Sequence, residues 1–80
     1  MNYELKDTNW ISAPKVKEGD ATKVTVLVNV TAGVVGQTYS GFQNVDQVWM
    51  DFPISMTGTD MQTDTTVQAT AYVATKYPNT

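Results

Sequence analysis

Valine occupies every second position in residues 23–31, KVTVLVNVT. Polar residues or leucine stand between the valines, so a pleated backbone would place four of them on one face: Val24, Val26, Val28 and Val30. β-Branched side chains pack well on such a surface. The pattern predicts a strand, and the rest of the chain is most simply arranged around it.

Residues 45–56 carry a second apolar pattern that fits two kinds of element. A helix is indicated by the spacing of Val45, Val48, Trp49 and Phe52. A strand is indicated by the alternation of Val48, Met50, Phe52, Ile54 and Met56. We favour the strand because the alternation is longer and continues past Pro53, which interrupts helices. Proline cannot donate to a ladder, so this strand is expected at a sheet edge or with a bulge.

The last alternating segment is residues 66–77, TVQATAYVATKY. One face would carry Val67, Ala69, Ala71, Val73 and Tyr77, so the pattern predicts a final strand. Residues 58–66 before it are polar and are interpreted as a turn region.

The remaining segments are short or polar. Residues 2–12 predict a short first strand or an ordered arm, with a turn at residues 7–9. Residues 13–22 predict an exposed loop that contains a short extended piece at Lys15–Lys17 and a turn at Gly19-Asp20. Glycines punctuate residues 32–44, which predicts turns flanking a short strand near residues 37–42. The expected fold class is all-β: one domain over residues 1–80, a small antiparallel β-sandwich or barrel of about four to five strands, with the strand order left open.

Charge and composition exclude several function classes. The formal net charge is −3, from eight acidic residues against five lysines, and arginine is absent. A nucleic-acid interface normally shows a basic excess with arginine, so no nucleic-acid partner is expected. Cysteine and histidine are absent as well, which removes disulfides and leaves carboxylates as the main metal ligands.

The acidic residues offer two candidate sites. Asp60 and Asp64, among threonines, could present oxygens to calcium, but the regular Asp-rich loop pattern is missing. Asp46 and Asp51 near Trp49 could be a glycosidase-like pair, but 80 residues rarely build such a cleft. No serine has a histidine to activate it. We therefore expect no catalytic residue, no cofactor and no metal, and a non-enzymatic protein.

Aromatic residues are numerous for so small a chain, and not all of them fit one core. If Trp49 lies on a strand, it points away from the neighbouring Met50, so it covers a second face or anchors a partner. The apolar residues of the glycine-rich loop could form a contact tip. The expected partner-binding residues are Trp49, Tyr39, Phe42 and Trp10.

The N-terminal residues, MNYELKDTNW, lack the apolar core of a signal peptide, and no apolar run approaches the length of a membrane span. The expectation is a protein made in the cytoplasm, with no signal peptide and no membrane partner.

Three segments, VTVLVNVTAG, QVWMDFPISM and TTVQATAYVA, are rich in threonine, valine and glutamine. In this texture the chain resembles small β-rich bacteriophage structural (virion) proteins. The resemblance implies repeated copies in a tail, neck or capsid surface. The leading hypothesis is a structural or decoration subunit that self-assembles, or binds another virion protein, through sheet edges and an aromatic patch. Two alternatives stay open: a small acidic binding or inhibitory module that blocks a host enzyme, and a carbohydrate-binding β-domain with Trp10 or Trp49 as the stacking platform.

Overall fold

The computed structural model describes residues 2–79, in which four strands are followed by one helix. The strands are β1 (Tyr3–Trp10), β2 (Lys15–Lys17), β3 (Asp20–Val34) and β4 (Gln43–Pro53), and the helix is α1 (Gly58–Lys76). All four strands form one antiparallel sheet. A short 3₁₀ turn, Ser40–Phe42, precedes β4.

The long strand β3 lies at the centre of the sheet. β4 pairs with it along one edge, from the pair Lys23 with Pro53 to the pair Gly33 with Gln43. A strand has only two edges, so β1 and β2 share the other one, one after the other. The turn between β2 and β3 uses Gly19, whose φ of 88° is a backbone conformation that glycine adopts without steric cost.

The chain between β1 and β2 leaves the ladder for residues 11–14. The N–H of Ile11 still donates to the carbonyl of Leu27 at 2.9 Å. The N–H of Leu27 donates instead to the side-chain hydroxyl of Ser12, at 2.8 Å. Ser12 thus supplies the acceptor that a continuous strand would have provided, and the backbone of β3 stays paired across the interruption.

Helix α1 begins at a recognisable cap. The hydroxyl of Thr57 accepts a hydrogen bond from the N–H of Asp60 at 3.1 Å, and Asp60 places a negative charge in the first turn. Lys76 places a positive charge in the last turn. The side buried against the sheet repeats every fourth residue, at Met61, Thr65, Ala69 and Val73.

The core lies between α1 and one face of the sheet. Alternate residues of β3 and β4 are buried there, together with the buried side of α1: Val26, Val28, Val30, Ala32, Met50, Phe52, Met61, Ala69 and Val73. At one end of this core the rings of Tyr3 and Tyr77 stack with centroids 4.8 Å apart. The start of β1 and the end of α1 therefore lie side by side.

The sequence-based fold class is only approximately right. A β-rich chain with an antiparallel sheet of four strands is confirmed, and so are the strand over residues 23–31 and the extended piece at Lys15–Lys17. The strand predicted within residues 45–56 is confirmed up to Pro53, but residues 54–56, where the alternation continued, leave the sheet in a turn, because the chain reverses there to enter α1. The expected sandwich or barrel is wrong, because α1 covers the sheet in place of a second sheet. Residues 58–76, predicted as a turn and a final strand, are helical, and residues 7–9, predicted as a turn, belong to β1. No strand forms over residues 37–42.

Candidate functional site

The face of the sheet opposite α1, here called the outer face, is not covered by any other element within residues 2–79. One apolar row crosses it. Leu27 of β3 lies opposite Trp49 of β4 on one side, and on the other side its carbonyl accepts a hydrogen bond from the N–H of Ile11. Ile11 is 40% exposed and Trp49 is 54% exposed. Val45, further along β4 on the same face, is also exposed. The outer face therefore exposes several apolar side chains to solvent.

Trp49 lies among charged and polar side chains of the neighbouring strands. The ammonium of Lys15 lies 5.1 Å from the centre of its ring, within range of a cation–π interaction. A shallow depression of about 380 Å³ adjoins the ring and is lined by Lys15, Lys17, Glu18, Thr25, Trp49 and Asp51. The arrangement gives an aromatic plate with a charged rim, which suits contact with another protein surface.

The rim is held by an ion pair between β2 and β4. The Lys17 ammonium lies 2.5 Å from a carboxylate oxygen of Asp51. The hydrogen bond from Lys17 lowers the pKa of Asp51, and the same bond raises the pKa of Lys17. Both side chains are partly exposed, so the pair orients the rim more than it stabilises the fold.

A row of amides lies beside the apolar row. Asn29 of β3 pairs with Asn9 of β1 and with Gln47 of β4. The side-chain oxygen of Asn29 is buried and has no hydrogen-bond partner among residues 2–79. A buried acceptor without a donor costs free energy, so this amide lowers the stability of the fold.

The outer edge of β4 is the second exposed feature. The N–H of Ile54 donates to the carbonyl of Thr22, so even-numbered residues of β4 bond to β3 and odd-numbered ones point their backbone groups away from it. No strand within residues 2–79 lies beyond this edge. A groove of about 420 Å³ runs between the edge and α1, lined by Val48, Trp49, Met50, Gln68, Ala71, Tyr72 and Thr75.

Asp46 of β4 bonds to three side chains at the end of α1. One carboxylate oxygen accepts hydrogen bonds from the hydroxyls of Tyr72 at 3.1 Å and Tyr77 at 2.9 Å, and lies 3.2 Å from the ammonium of Lys76. Burial is the largest single influence and acts to raise the pKa of Asp46, but the bonds from Tyr77, Lys76 and Tyr72 together outweigh it and lower the pKa. This cluster is a structural tie between β4 and α1.

We expect acid to loosen this tie. The pKa of Asp46 is lower in the folded than in the unfolded protein, so its stabilisation is complete above the ordinary pKa of about 4 and is lost as the pH falls through the folded value. Urea unfolding of the wild type and of Asp46→Asn, at pH 7 and pH 3, measures the effect. The difference in stability between the two proteins should shrink at pH 3, and an unchanged difference would contradict the assignment.

The structure separates the four residues predicted to bind a partner. Trp49 is on the outer face, whereas Trp10 lies on the α1 side, where its indole N–H donates to the Thr65 hydroxyl at 3.0 Å. Tyr39, 72% exposed, and Phe42 are in the loop before β4, and Trp49 lies about 20 Å further along that strand. The four therefore do not form a single patch.

The two carboxylate sites considered from the sequence take different positions. Asp46 faces α1 and Asp51 faces the outer side, so the sheet separates the glycosidase-like pair. Asp60 and Asp64 lie in α1, where Asp64 accepts a hydrogen bond from Gln68. The residues that surround Trp49, namely Lys15, Lys17 and Thr25, were not singled out, and only the strand register brings them there.

Among residues 2–79, no group of three acidic residues is arranged to hold a metal ion. Within the same residues, α1 is not apolar enough to cross a membrane. No family model, curated protein or solved structure matches the chain.

Proposed function

We propose that this protein is a non-enzymatic structural or decoration subunit that self-assembles through the free edge of β4 and the outer face around Trp49. The observation that carries the proposal is the long β4 edge, 11 residues in length, next to exposed apolar side chains of the same strand. An edge of this kind is a template for another strand, and proteins that stay monomeric usually cover or block it.

The size of the chain supports the proposal. A domain of about this length buries only about 60% of the surface that its unfolded chain exposes, and small domains often gain stability by association. This chain has no cysteine and therefore no disulfide. Covering the outer face with another subunit would bury the exposed parts of Ile11, Leu27 and Trp49.

The composition of the sequence supports a place for the subunit in a virion. Of the three threonine- and valine-rich segments that resemble β-rich bacteriophage virion proteins, two lie in β3 and β4 and so include the exposed β4 edge, whereas the third lies in α1. A virion surface, where many copies stand side by side, is the setting in which an open edge is useful. We place the subunit there as part of the proposal.

The test is the mass of the purified protein in solution, measured by light scattering behind a sizing column over a concentration series and at two salt concentrations. Dimers or larger species that grow with concentration would support the proposal. A monomer at every concentration would contradict it and favour the binding-module hypothesis.

Trp49→Ala should separate folding from assembly. The ring is half exposed, so we expect the free energy of unfolding of the monomer to change by about 0.5 kcal/mol or less. Assembly should weaken strongly, because large aromatic residues dominate the binding energy of interfaces. Urea unfolding at low concentration and light scattering at high concentration measure the two effects.

Two exposed valines test whether assembly depends on the outer face or on surface hydrophobicity in general. Val45 on the outer face is 59% exposed and Val67 on α1 is 61% exposed. Threonine has nearly the same shape as valine, so both substitutions change polarity alone. Val45→Thr should weaken assembly and Val67→Thr should not. Equal effects of the two would show that general surface hydrophobicity, not the outer face, drives association.

A further inference from the structure

The hydrogen-bonding groups of the β4 edge can be assigned residue by residue. Odd-numbered residues point their N–H and C=O groups away from β3, as the bond from Ile54 to Thr22 establishes. One of these carbonyls is already used, because the side-chain amide of Gln68 donates to the carbonyl of Asp51 at 3.0 Å. The open part of the edge is therefore Val45, Gln47 and Trp49, with Gln43 at its start.

We propose that this open edge is occupied by β4 of a second copy of the chain, paired antiparallel about a two-fold axis through Gln47. The inference rests on the proposed self-assembly and names its partner strand and register. An extended strand presents donors and acceptors at the spacing that the edge requires. Two copies of β4 would join the two sheets into one continuous sheet.

The outer face favours β4 itself as the added strand. In an antiparallel pair centred on Gln47, Trp49 of one copy lies opposite Val45 of the other, and the arrangement repeats across the axis. Aromatic and β-branched residues are a favourable cross-strand pair. The two Gln47 side chains meet on the axis, where their amides can bond to each other. Each exposed apolar residue of this strand face thereby gains an apolar neighbour across the strand pair.

Neighbouring registers are less favourable for stated reasons. A pair centred on Asp46 would set two aspartates directly opposite each other, and like charges at that spacing destabilise a sheet. A pair centred on Val48 sets Trp49 opposite Gln47 in place of Val45, and sets Val45 opposite Asp51, whose carbonyl is already bonded to Gln68. A pair centred on Val45 leaves Trp49 beyond the end of the partner strand.

The absence of cysteine makes the register directly measurable. Residues opposite each other in a bonded antiparallel pair have Cα atoms about 5.5 Å apart, a distance that a disulfide can span. Gln47→Cys should therefore form a disulfide-linked dimer on mild oxidation. Asn9→Cys is the matched control, since Asn9 is an exposed amide in the same row of the outer face but on β1, at the other edge.

We expect Gln47→Cys to cross-link at least about tenfold faster than Asn9→Cys, and Val45→Cys to cross-link no faster than the control, because its partner across the axis is Trp49. Equal rates for Gln47→Cys and Asn9→Cys, in a protein that light scattering shows to be oligomeric, would overturn this inference and leave the proposed assembly standing. A protein that is monomeric throughout would overturn both.

A charge substitution gives an independent measurement without oxidation. Gln47→Lys would place two like charges next to each other at the axis, whereas Asn9→Lys would not. The dimer dissociation constant should rise by about fivefold or more for Gln47→Lys. Circular dichroism of both variants checks that each is folded. Equal dissociation constants for Gln47→Lys and the wild type would contradict the pairing of β4 with itself.

Discussion

Replacing Phe52 by alanine is expected to lower the free energy of unfolding by about 3–5 kcal/mol. The Phe52 side chain is 1% exposed and lies in the core, with its ring centre 6.4 Å from that of Trp10. A domain of this length has a total stability of roughly 4–12 kcal/mol, so the variant should be largely unfolded near 37 °C or melt far below the wild type. Thermal and urea unfolding followed by circular dichroism measure the loss.

Phe42→Ala is the matched control for this substitution. Phe42 is 43% exposed and lies in the loop before β4, so the same loss of a ring should cost much less there. Similar losses for the two variants would show that the core is not organised around Phe52.

Thr65→Val should cost about 1–3 kcal/mol although valine has nearly the shape of threonine. The hydroxyl of Thr65 accepts a hydrogen bond from the indole N–H of Trp10 at 3.0 Å and donates one to the carbonyl of Met61 at 2.7 Å. Thr65 is 1% exposed, so its removal leaves the Trp10 N–H in the core without an acceptor. The change in stability should appear in urea unfolding.

Thr70→Val separates the buried bond from the general effect of losing a helical threonine hydroxyl. Thr70 donates to the carbonyl of Thr66 at 2.8 Å, as Thr65 does to Met61, but it is exposed. We expect a change within about 0.5 kcal/mol for Thr70→Val. If both substitutions cost the same, the bond to Trp10 contributes little.

The strands were predictable because their alternation is local and strong. Residues 24–30 put valine on every second position, and residues 48–52 alternate in the same way, so burial of one face follows from the pleat. Pro53 correctly indicated an edge strand, since β4 borders the sheet and ends there.

The helix was missed because its buried side is not strongly apolar. Thr65 and Ala69 are two of its four buried residues, so the 3.6-residue repeat hardly shows in the sequence. The threonines also favour strands locally. In α1 several of them bond back to the carbonyl four residues earlier: Thr63, Thr65, Thr70 and Thr75. The cap at Thr57 and Asp60 was the signal that could have indicated a helix.

The candidate site was predictable only in part, because it depends on which face the helix covers. The alternation of β4 places Trp49 opposite to Met50, and the sequence predicted that much. Once α1 lies on the Met50 side, Trp49 is left exposed and Trp10 is partly buried against the core. The two tryptophans differ in exposure because of packing between distant segments, which no local pattern reveals.

The stacked rings of Tyr3 and Tyr77 set the first strand beside the end of the helix. A short linker could therefore join the end of the helix to the start of β1, and the chain could be reopened in the exposed loop between β3 and β4 without breaking any strand pair. Such a circular permutant would keep the same sheet and the same free β4 edge. Its new ends would lie at the loop that carries Tyr39, a position from which a fused peptide or label would project while the β4 edge stays available for pairing.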